Sequence, residues 1–233
     1  MCNILAIIPA RGGSKGIKNK NLLKINQMSL IEIAIKEAQK SKNINKIIFS
    51  SDNEKIIKEA KKFIKVEFKR PKKFATDKAS SYDVARHALK WFETNNRSFK
   101  IDIVIILSPT TPFREANDID NALEKLKNNK KANSIISITE VDYPPFWMLK
   151  KNRNSKLSWL IKEKTKFNTR QEYPTIYQPN GMIYAIRSGA LKKLKGILPQ
   201  KTTLGYYVEK KRSVNIDSLS QYEYSKFIAK SKI

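Results

Sequence analysis

Short apolar runs alternate with segments of helical spacing along residues 1–140. The apolar runs predict buried strands at residues 4–8, 46–50, 66–68, 101–107 and 134–139. Apolar residues three and four positions apart predict helices at residues 30–40, 52–62, 81–92 and 117–127. Asp52, at the start of the second of these, is expected to be its N-cap, with a catalytic carboxylate as the alternative.

Strands that alternate with helices of about ten residues form βαβ units, and these build a mainly parallel sheet with helices on both faces. The pattern therefore predicts an α/β, Rossmann-like fold. Ligands bind such sheets in the crevice beyond the carboxyl ends of the strands. Three segments that follow predicted strands are expected there: 11–21, 50–52 and 108–114.

The alternation stops between residues 140 and 177. Prolines and aromatic residues lie here among many charges: Pro144, Pro145, Phe146, Trp147, Trp159, Phe167 and Tyr173. Exposed aromatic residues in an irregular segment are typical of an interface or a lid. We therefore expect a main domain of residues 1–139 and 178–233, with a strand at 182–186 and a helix at 218–229. Residues 140–177 are expected to form a small protruding insertion for dimerisation or closure.

Composition is typical of a globular protein. The chain has 233 residues, 40% of them hydrophobic, and its single cysteine can form no internal disulfide. No apolar run approaches the roughly 18–20 residues that span a bilayer. The first residues lack the features of a signal peptide. We expect a cytoplasmic protein with no membrane partner.

The net charge of +26 has two explanations. Basic side chains neutralise phosphates, which indicates nucleic-acid binding. Alternatively, 38 of the 47 basic residues are lysines, spread along a chain that is also rich in isoleucine and asparagine. These residues share A/T-rich codons, so coding bias explains the charge, and we expect no nucleic-acid partner. In such a chain, each of the nine arginines marks a position that needs a planar, bidentate donor.

A glycine-containing loop follows the first predicted strand, with the sequence PARGGSKGIKNKN at residues 9–21. Its glycines permit positive φ and a close approach of backbone N–H groups to an anion, at Gly12, Gly13 and Gly16. Its spacing matches neither a Walker A loop nor a dinucleotide-binding loop. The position after the first strand favours a phosphate-binding loop.

Residues 10–21 resemble the signature of the N-acylneuraminate cytidylyltransferases, also called CMP-sialic acid synthetases, and not that of the related CMP-Kdo synthetases. Further segments resemble the same family in the same order, at 48–52, 69–89, 107–114, 170–184 and, most weakly, 215–217. The resemblance implies a nucleotide-diphospho-sugar-transferase-like fold and a homodimer. It also implies a reaction in which the anomeric hydroxyl of a 2-keto sugar acid attacks the α-phosphorus of CTP and releases pyrophosphate.

The same resemblance implies the composition of the site. CTP would be bound by Arg11, Gly12, Gly13, Ser14, Lys15, Lys20, Asn21, Arg70 and Ser80, the last two at the base or ribose. The sugar acid would be bound by Ser108, Thr110, Arg170, Asn180, Gly181 and Tyr184, with Arg170 at its carboxylate. Mg²⁺ or Mn²⁺ would bind Asp217 and Asn215. The catalytic residues would be Arg11, Lys20 and Asp217.

The chain departs from the family pattern at two places. Ser108 stands where the family has a longer glutamine, so N-acetylneuraminate, legionaminate and pseudaminate all stay open as the sugar. Asn215 and Gln221 stand where the family has acids. One carboxylate with triphosphate oxygens can still hold Mg²⁺, although we expect a lower affinity. The alternative is a catalytically degenerate, basic, nucleic-acid-binding homologue.

Three motif residues also have a structural explanation. Arg114 is expected to pair with Asp118 or Asp120. His87 is expected to pack within its helix. Asp217 could cap the last helix instead of holding a metal.

Overall fold

The computed structural model describes residues 2–14, 16–67, 69–161, 172, 174–194, 196 and 198–231. Its strands are β1 (Ile4–Pro9), β2 (Lys24–Ile25), β3 (Met28–Ser29), β4 (Lys46–Ser50), β5 (Ile103–Ile106), β6 (Ser134–Glu140), β7 (Leu149–Lys151), β8 (Leu157–Trp159), β9 (Tyr177–Arg187) and β10 (Thr203–Tyr207). Its helices are α1 (Leu30–Lys40), α2 (Glu54–Ala60), α3 (Ser81–Asn95), α4 (Ala116–Asn128), α5 (Ser188–Lys193) and α6 (Leu219–Lys230).

Six strands form the central sheet, in the order β10-β6-β9-β5-β1-β4. Strand β1 runs parallel to β4 and β5, and β10 runs parallel to β6. Only β9 runs antiparallel to its neighbours among the described strands of this sheet. The predicted mainly parallel α/β sheet is confirmed. Because five strands point the same way, their carboxyl ends meet at one edge.

Both faces of the sheet are covered by helices, because successive side chains of a strand point to opposite faces. Ile4, Ala6 and Ile8 of β1 pack in one core with α1, α2 and α4. Leu5 and Ile7 pack in the other core with α3 and α5. All five side chains are fully buried, and each large one contributes about 1.5–3 kcal/mol. The cores hold the strands rigid, so the crevice residues at their ends have fixed positions.

Helix starts follow capping chemistry more closely than the apolar pattern does. Helix α1 has the predicted bounds and is capped by Ser29, whose side chain accepts the N–H of Glu32. The cap of α2 is Asn53, which accepts two backbone N–H groups. The expectation that Asp52 caps this helix is therefore wrong. The Asp52 carboxylate instead accepts the backbone N–H of Gly12 at 3.0 Å.

Further elements differ from the expectation. Val66 lies in irregular chain and not in a strand, while Phe68 lies outside the described residues. Strand β9 extends well beyond the predicted residues 182–186 and contains an irregularity opposite Ser137. Strand β10 and helix α5 were not expected.

The expected insertion contributes the hairpin β7–β8 in its described part, while residues 162–171 and 173 lie outside it. Its two described tryptophans face solvent as expected, since Trp147 is 47% exposed and Trp159 is 55% exposed, and Phe146 is half-buried. None of the helices in the described ranges combines the length and apolarity that crossing a membrane requires.

Candidate functional site at the carboxyl edge of the sheet

A cavity of about 480 Å³ opens beyond the ends of β1 and β5. Its lining brings together most of the predicted site: Arg11, Ser14, Lys20, Asn21, Ser108, Thr110, Gly181, Tyr184, Asn215 and Asp217, with Pro9, Gly16 and Ser81. An adjoining cavity of about 280 Å³ shares Arg11, Ser81, Ser108, Gly181 and Tyr184, and adds Arg70 and Asp77. Segments more than 200 residues apart in sequence therefore meet at one place.

Five polar side chains are linked along the lining of the larger cavity. Lys20 Nζ donates to Asp217 Oδ1 at 2.6 Å, and Asn215 Nδ2 donates to Asp217 Oδ2 at 2.7 Å. Thr110 Oγ1 donates to Asn215 Oδ1 at 2.6 Å. Ser108 Oγ lies 2.8 Å from Thr110 Oγ1. We call these five residues the polar row.

Asp217 is held by this row and not by the last helix. Ser218 is the N-cap of α6 and forms a capping box with Gln221. Gln221 Oε1 also accepts the backbone N–H of Asp217 at 2.8 Å. The alternative that Asp217 caps the helix is therefore wrong, and its carboxylate is 60% exposed towards the cavity.

Close packing, and not positive φ, requires glycine at two of the three positions of the first loop, Gly12 and Gly16. None of Gly12, Gly13 and Gly16 has a positive φ, so that expectation is wrong. A Cβ on Gly16 would lie 2.1 Å from the backbone oxygen of Asp217. A Cβ on Gly12 would lie 2.8 Å from the side chain of Asn53, whereas one on Gly13 meets nothing within 4 Å. Glycine at position 16 thus allows the loop to pack directly against the backbone of Asp217.

Arg11 forms an ion pair with Asp77. Its Nη1 lies 2.8 Å from Asp77 Oδ1, and the two side chains are 33% and 47% exposed. Asn21, which is buried, donates from Nδ2 to the backbone oxygen of Arg11 at 3.0 Å. Asp77 was given no role in the sequence analysis, although it lies in the segment 69–89 that resembles the family.

Arg70 lines the smaller cavity but is buried, and most of its guanidinium donors bind other groups of the protein. Its Nε donates to Ser50 Oγ at 3.0 Å, and its Nη2 donates to Ser50 O. Burial lowers the pKa of Arg70 to about 10. The guanidinium supports the end of β4 and presents its remaining face to the cavity.

Ser80, expected at the cytidine base or ribose, has a structural role at the start of α3. Its hydroxyl is bound in the capping box of α3, where it accepts the N–H of Asp83 and donates to Asp83 Oδ2 at 2.7 Å. Ser81 lines both cavities instead. The spacing of serine and aspartate at residues 80 and 83 was the signal that the first hydroxyl is used by the helix.

Asn180 and Gly181 lie in the irregularity of β9, and Tyr184 is the paired residue at its end, opposite Ile136. Asn180 is buried and bonded to Ser137 and Ser213, so it shapes the strand and is not among the residues lining either cavity. Gly181 has a φ of +79°, which disfavours a side chain, and it lies at the cavity wall. Burial raises the pKa of the Tyr184 hydroxyl.

Arg114 is a buried support for the cavity wall. Its Nη1 donates to the backbone oxygens of Ser108 and Met182, both at 3.0 Å, and to Thr111 Oγ1. Burial lowers its pKa to about 10. The expected pairing with Asp118 or Asp120 is wrong.

Those two aspartates have other partners. Asp118 binds Arg212 at 2.8 and 2.9 Å, and Asp120 accepts from Ser41 Oγ. His87 packs within α3 as expected, with its ring 4.6 Å from that of Phe74, and burial lowers its pKa.

Two predicted site residues, Lys15 and Arg170, lie outside the described residues. Within the described part of the chain, no group of three or more histidine, cysteine, aspartate and glutamate side chains could hold a metal ion. Any divalent cation here would depend on Asp217 with oxygens from its neighbours and from a ligand.

The sequence matches a known family over nearly the whole chain. The family model described as cytidylyltransferase covers residues 5–231. The chain belongs to the cytidylyltransferase family. The family resemblance seen in the sequence is confirmed.

Named relatives of the chain differ in their sugars. It is 33% identical to the post-translational flagellin modification protein B of Campylobacter coli, over 100% of this chain and 97% of that one. It is 32% identical to the CMP-N,N'-diacetyllegionaminic acid synthase of Campylobacter jejuni, over 100% and 97%. It is 31% identical to the N-acylneuraminate cytidylyltransferase of Escherichia coli, over 98% of this chain and 52% of that protein, so it spans about half of that relative.

Solved structures support the fold. The CMP:2-keto-3-deoxy-manno-octonic acid synthetase complexed with CTP has a TM-score of 0.71 at 16% identity, covering 99% of this chain and 100% of that one. The 4-diphosphocytidyl-2C-methyl-D-erythritol synthase of Anaerococcus prevotii has a TM-score of 0.66 at 13% identity, covering 98% and 96%. At these identities the likeness concerns architecture alone.

Proposed function

We propose that this cytidylyltransferase transfers CMP from CTP to the anomeric hydroxyl of a nonulosonic acid of the N-acylneuraminate type. The support is the convergence in one cavity of two cations, Arg11 and Lys20, with the carboxylate of Asp217. Names of the relatives support the substrate class, since they include sialic, legionaminic and pseudaminic acid enzymes.

The reaction forms a bond between the anomeric oxygen and the α-phosphorus, and it breaks the bond to the β-phosphate. Negative charge grows on the leaving pyrophosphate, and positioned cations lower the energy of that charge. Arg11 and Lys20 are placed to supply this stabilisation. To do so each gives up part of its resident pairing, with Asp77 and Asp217 respectively.

The attacking hydroxyl also loses a proton. Asp217 provides the carboxylate among the described residues that line the larger cavity. Its exposed oxygens make it our candidate for receiving that proton, directly or through water. Asn215 keeps the carboxylate oriented during this step.

Mg²⁺, or Mn²⁺, fits this donor set as a ligand shared with the substrate. Mg²⁺ is usually bound by one or two carboxylates together with substrate phosphates, and Asp217 supplies one carboxylate with unused lone pairs. Asn215 could contribute its side-chain oxygen after release by Thr110. When bound, the ion neutralises charge on the triphosphate.

The protruding insertion supports a homodimer. Its hairpin exposes Leu149, Leu157 and Trp159, each at least 49% accessible. A group of large apolar side chains on a protruding element is typical of an interface. Light scattering at micromolar concentration should report a dimer, and a fully active monomer would contradict this part of the proposal.

Pyrophosphate release from CTP with a panel of nonulosonic acids tests the reaction. We expect turnover with at least one of N-acetylneuraminate, legionaminate or pseudaminate at ordinary salt. Absence of turnover with every sugar, together with tight and strongly salt-dependent RNA or DNA binding, would favour a basic binding protein instead.

Asp217→Asn tests the catalytic assignment. We expect turnover to fall at least about 100-fold, since the variant loses both a proton acceptor and a metal ligand, while thermal unfolding stays near that of the wild type. Glu223→Gln, which removes an exposed carboxylate paired with Lys226 on α6, is the matched control. A folded Asp217→Asn enzyme that keeps most of its rate at saturating Mg²⁺ would place the metal and the base elsewhere.

A further inference from the structure

The loop that follows β5 lines a third cavity, separate from the two of the candidate site. Residues 108 and 110 of this loop line the larger cavity, whereas residues 112–115 line a cavity of about 290 Å³. The other walls of that cavity come from α1, from the hairpin β2–β3 and from α6, and its lining is mainly apolar: Ile25, Met28, Ile33, Phe113, Ile228 and Ala229. We call it the apolar cavity. None of its described lining residues lines either of the other two cavities.

Arg114 lines the apolar cavity and has one edge of its guanidinium without an acceptor. All three hydrogen bonds that the described residues show for this group are donated by Nη1. Nε is buried and has no partner in the described part of the chain. Nε and Nη2 form the side of the guanidinium that binds a carboxylate with two parallel hydrogen bonds. Arg187, by contrast, donates from both Nε and Nη2 to backbone oxygens.

The charge of Arg114 is also not paired directly. The side chain is only 2% exposed, and its described acceptors are two backbone oxygens and a threonine hydroxyl. Two carboxylates stabilise it from a distance, those of Glu37 and Asp118. Both have other donors, since Glu37 accepts the backbone N–H of Ala116 at 2.9 Å and Asp118 binds Arg212. Buried cations are normally paired, so an anion is the chemical group that this position lacks.

The remaining charges of the lining favour an anion as well. Its described residues include three cations, Arg114, Lys211 and Arg212, and two acids, Glu37 and Glu115. Lys211 is exposed at the rim, where it can attract an acid from solution. The volume lies just below the roughly 300–1,000 Å³ of most small-molecule sites. A molecule that fits is therefore small, with an apolar body and one acidic group.

We propose that the apolar cavity is a second ligand site, which binds a small aromatic or branched aliphatic carboxylate with its acidic group on the Nε–Nη2 edge of Arg114. The apolar body of the ligand packs against Ile33, Phe113 and Ile228. Charge-assisted, bidentate pairs of this kind are among the stronger hydrogen-bonded contacts in proteins. The site takes neither CTP nor the sugar acid, so the inference goes beyond the proposed function.

The position of Arg114 couples this site to the crevice. Its Nη1 holds the backbone oxygens of Ser108 and Met182, and Ser108 lines the larger cavity. A carboxylate on the opposite edge attracts the guanidinium away from these two oxygens and loosens the wall that they fix. A ligand in the apolar cavity is therefore expected to lower the rate without competing with CTP, which makes the cavity a regulatory site.

Fluorine NMR titration of the whole chain with 4-fluorobenzoate tests the binding. The neutral analogue 4-fluorobenzamide has the same ring and nearly the same shape. We expect the carboxylate to bind at least about tenfold more tightly than the amide, because only the carboxylate pairs with the guanidinium. The titration is repeated with saturating CTP and no sugar acid. Complete displacement of the probe by CTP would place it in the larger cavity and overturn the inference, as would equal affinities for the two probes.

Two variants locate the probe. Ala229→Phe fills the apolar cavity without touching Arg114 and should weaken binding of 4-fluorobenzoate at least about tenfold. Lys230→Phe, at the exposed end of α6, is the matched control and should bind like the wild type. Arg114→Met should reduce the preference for the carboxylate to within about twofold, because it removes the cation, with the melting temperature showing whether it folds. An unchanged affinity in folded Ala229→Phe would overturn the inference even if Arg114→Met does not fold.

The rate of pyrophosphate release tests the coupling. With saturating CTP and enough 4-fluorobenzoate to fill the cavity, kcat should fall about threefold or more in the wild type, since small displacements in a catalytic site act steeply on rate. It should not fall in Ala229→Phe. An unchanged kcat in the wild type would overturn the regulatory role. If no sugar acid is turned over, the proposed function fails, while the NMR titration still decides whether the apolar cavity is a carboxylate site.

Discussion

Gly16→Ala tests the geometry of the site through a single contact, the one between Gly16 and the backbone of Asp217. The added Cβ would lie 2.1 Å from the backbone oxygen of Asp217, while ordinary contacts of a Cβ begin at 3.4 Å. The two backbones must therefore separate by about 1.3 Å, the difference between these distances. The φ of Gly16 lies outside the left-handed region, so an alanine is not strained at this position for any other reason.

The expected magnitudes follow from that displacement. A misplacement of about 1 Å in a catalytic constellation costs about 100-fold in rate, and we expect this loss in kcat/KM. Overpacking costs about 1–3 kcal/mol in the free energy of unfolding. For a chain of this size, that corresponds to a decrease of about 2–12 °C in Tm. The rate should be measured by pyrophosphate release well below the lower Tm, so that loss of folded protein does not contribute.

Gly189→Ala is the matched control. A Cβ at Gly189 meets nothing within 4 Å, and the residue is exposed within α5. We expect an unchanged rate and a gain of about 0.5–1 kcal/mol, since alanine is favoured over glycine in a helix. A Gly16→Ala enzyme with the wild-type kcat/KM and Tm would refute the idea that this contact positions Asp217.

Three other predictions probe charge. Arg11→Lys should lower kcat/KM for CTP about tenfold although it keeps the charge, because lysine cannot donate two parallel hydrogen bonds to a phosphate. The control Lys61→Ala, at the exposed end of α2, should leave kcat/KM unchanged. Equal kcat/KM values for the two variants would show that Arg11 is only a surface charge. Asn215→Asp supplies a second carboxylate and should lower the Mg²⁺ concentration needed for half-maximal rate; an unchanged requirement would show that the metal does not bind there. Burial opposes ionisation of Asp118, but hydrogen bonds led by that from Arg212 hold its pKa below the ordinary value. Its stabilisation is therefore present above the unfolded pKa of about 3.9 and is lost as pH falls through the folded value. Asp118→Asn should cost about 2–3 kcal/mol at pH 7 and steadily less as pH falls below about 3.9, as denaturant titrations can check.

The sequence predicts the buried elements well, because their pattern follows directly from packing. Helix α1 has the predicted bounds, since its apolar spacing, its serine cap and its last lysine agree. The sequence pattern does not predict the strand at Thr203–Tyr207, because it is short, contains Gly205 and is only half-buried at the edge of the sheet. Its place in the sheet depends on pairing with β6, far away in sequence.

The site residues were predicted by segment better than by side chain. Where two adjacent residues have similar side chains, local hydrogen bonds determine which of them faces the cavity and which binds the backbone. Ser80 caps a helix while Ser81 faces the cavities, and Asp52 binds Gly12 while Asn53 caps α2. Motif position shows that a segment reaches the crevice. It does not show which side chain has already been used by the backbone.

The arginines illustrate the same limit. In a chain where lysine is favoured, arginine was expected wherever a planar donor has to bind an anion. In the structure, three arginines do act as planar donors, but they bind backbone oxygens and not anions. Arg70 donates to the backbone oxygen of Ser50, and Arg114 donates to the backbone oxygens of Ser108 and Met182. Arg187 donates to the backbone oxygen of Ala132 at 2.9 Å. A guanidinium can satisfy several fixed carbonyl groups at once, which the single ammonium of lysine does poorly. Arg11, with an exposed carboxylate partner that a ligand can replace, is the arginine of the larger cavity that is free to exchange its acceptor for an incoming phosphate. The buried arginines therefore support rigid parts of the fold, whereas Arg11 is the arginine of the larger cavity that we propose binds the triphosphate.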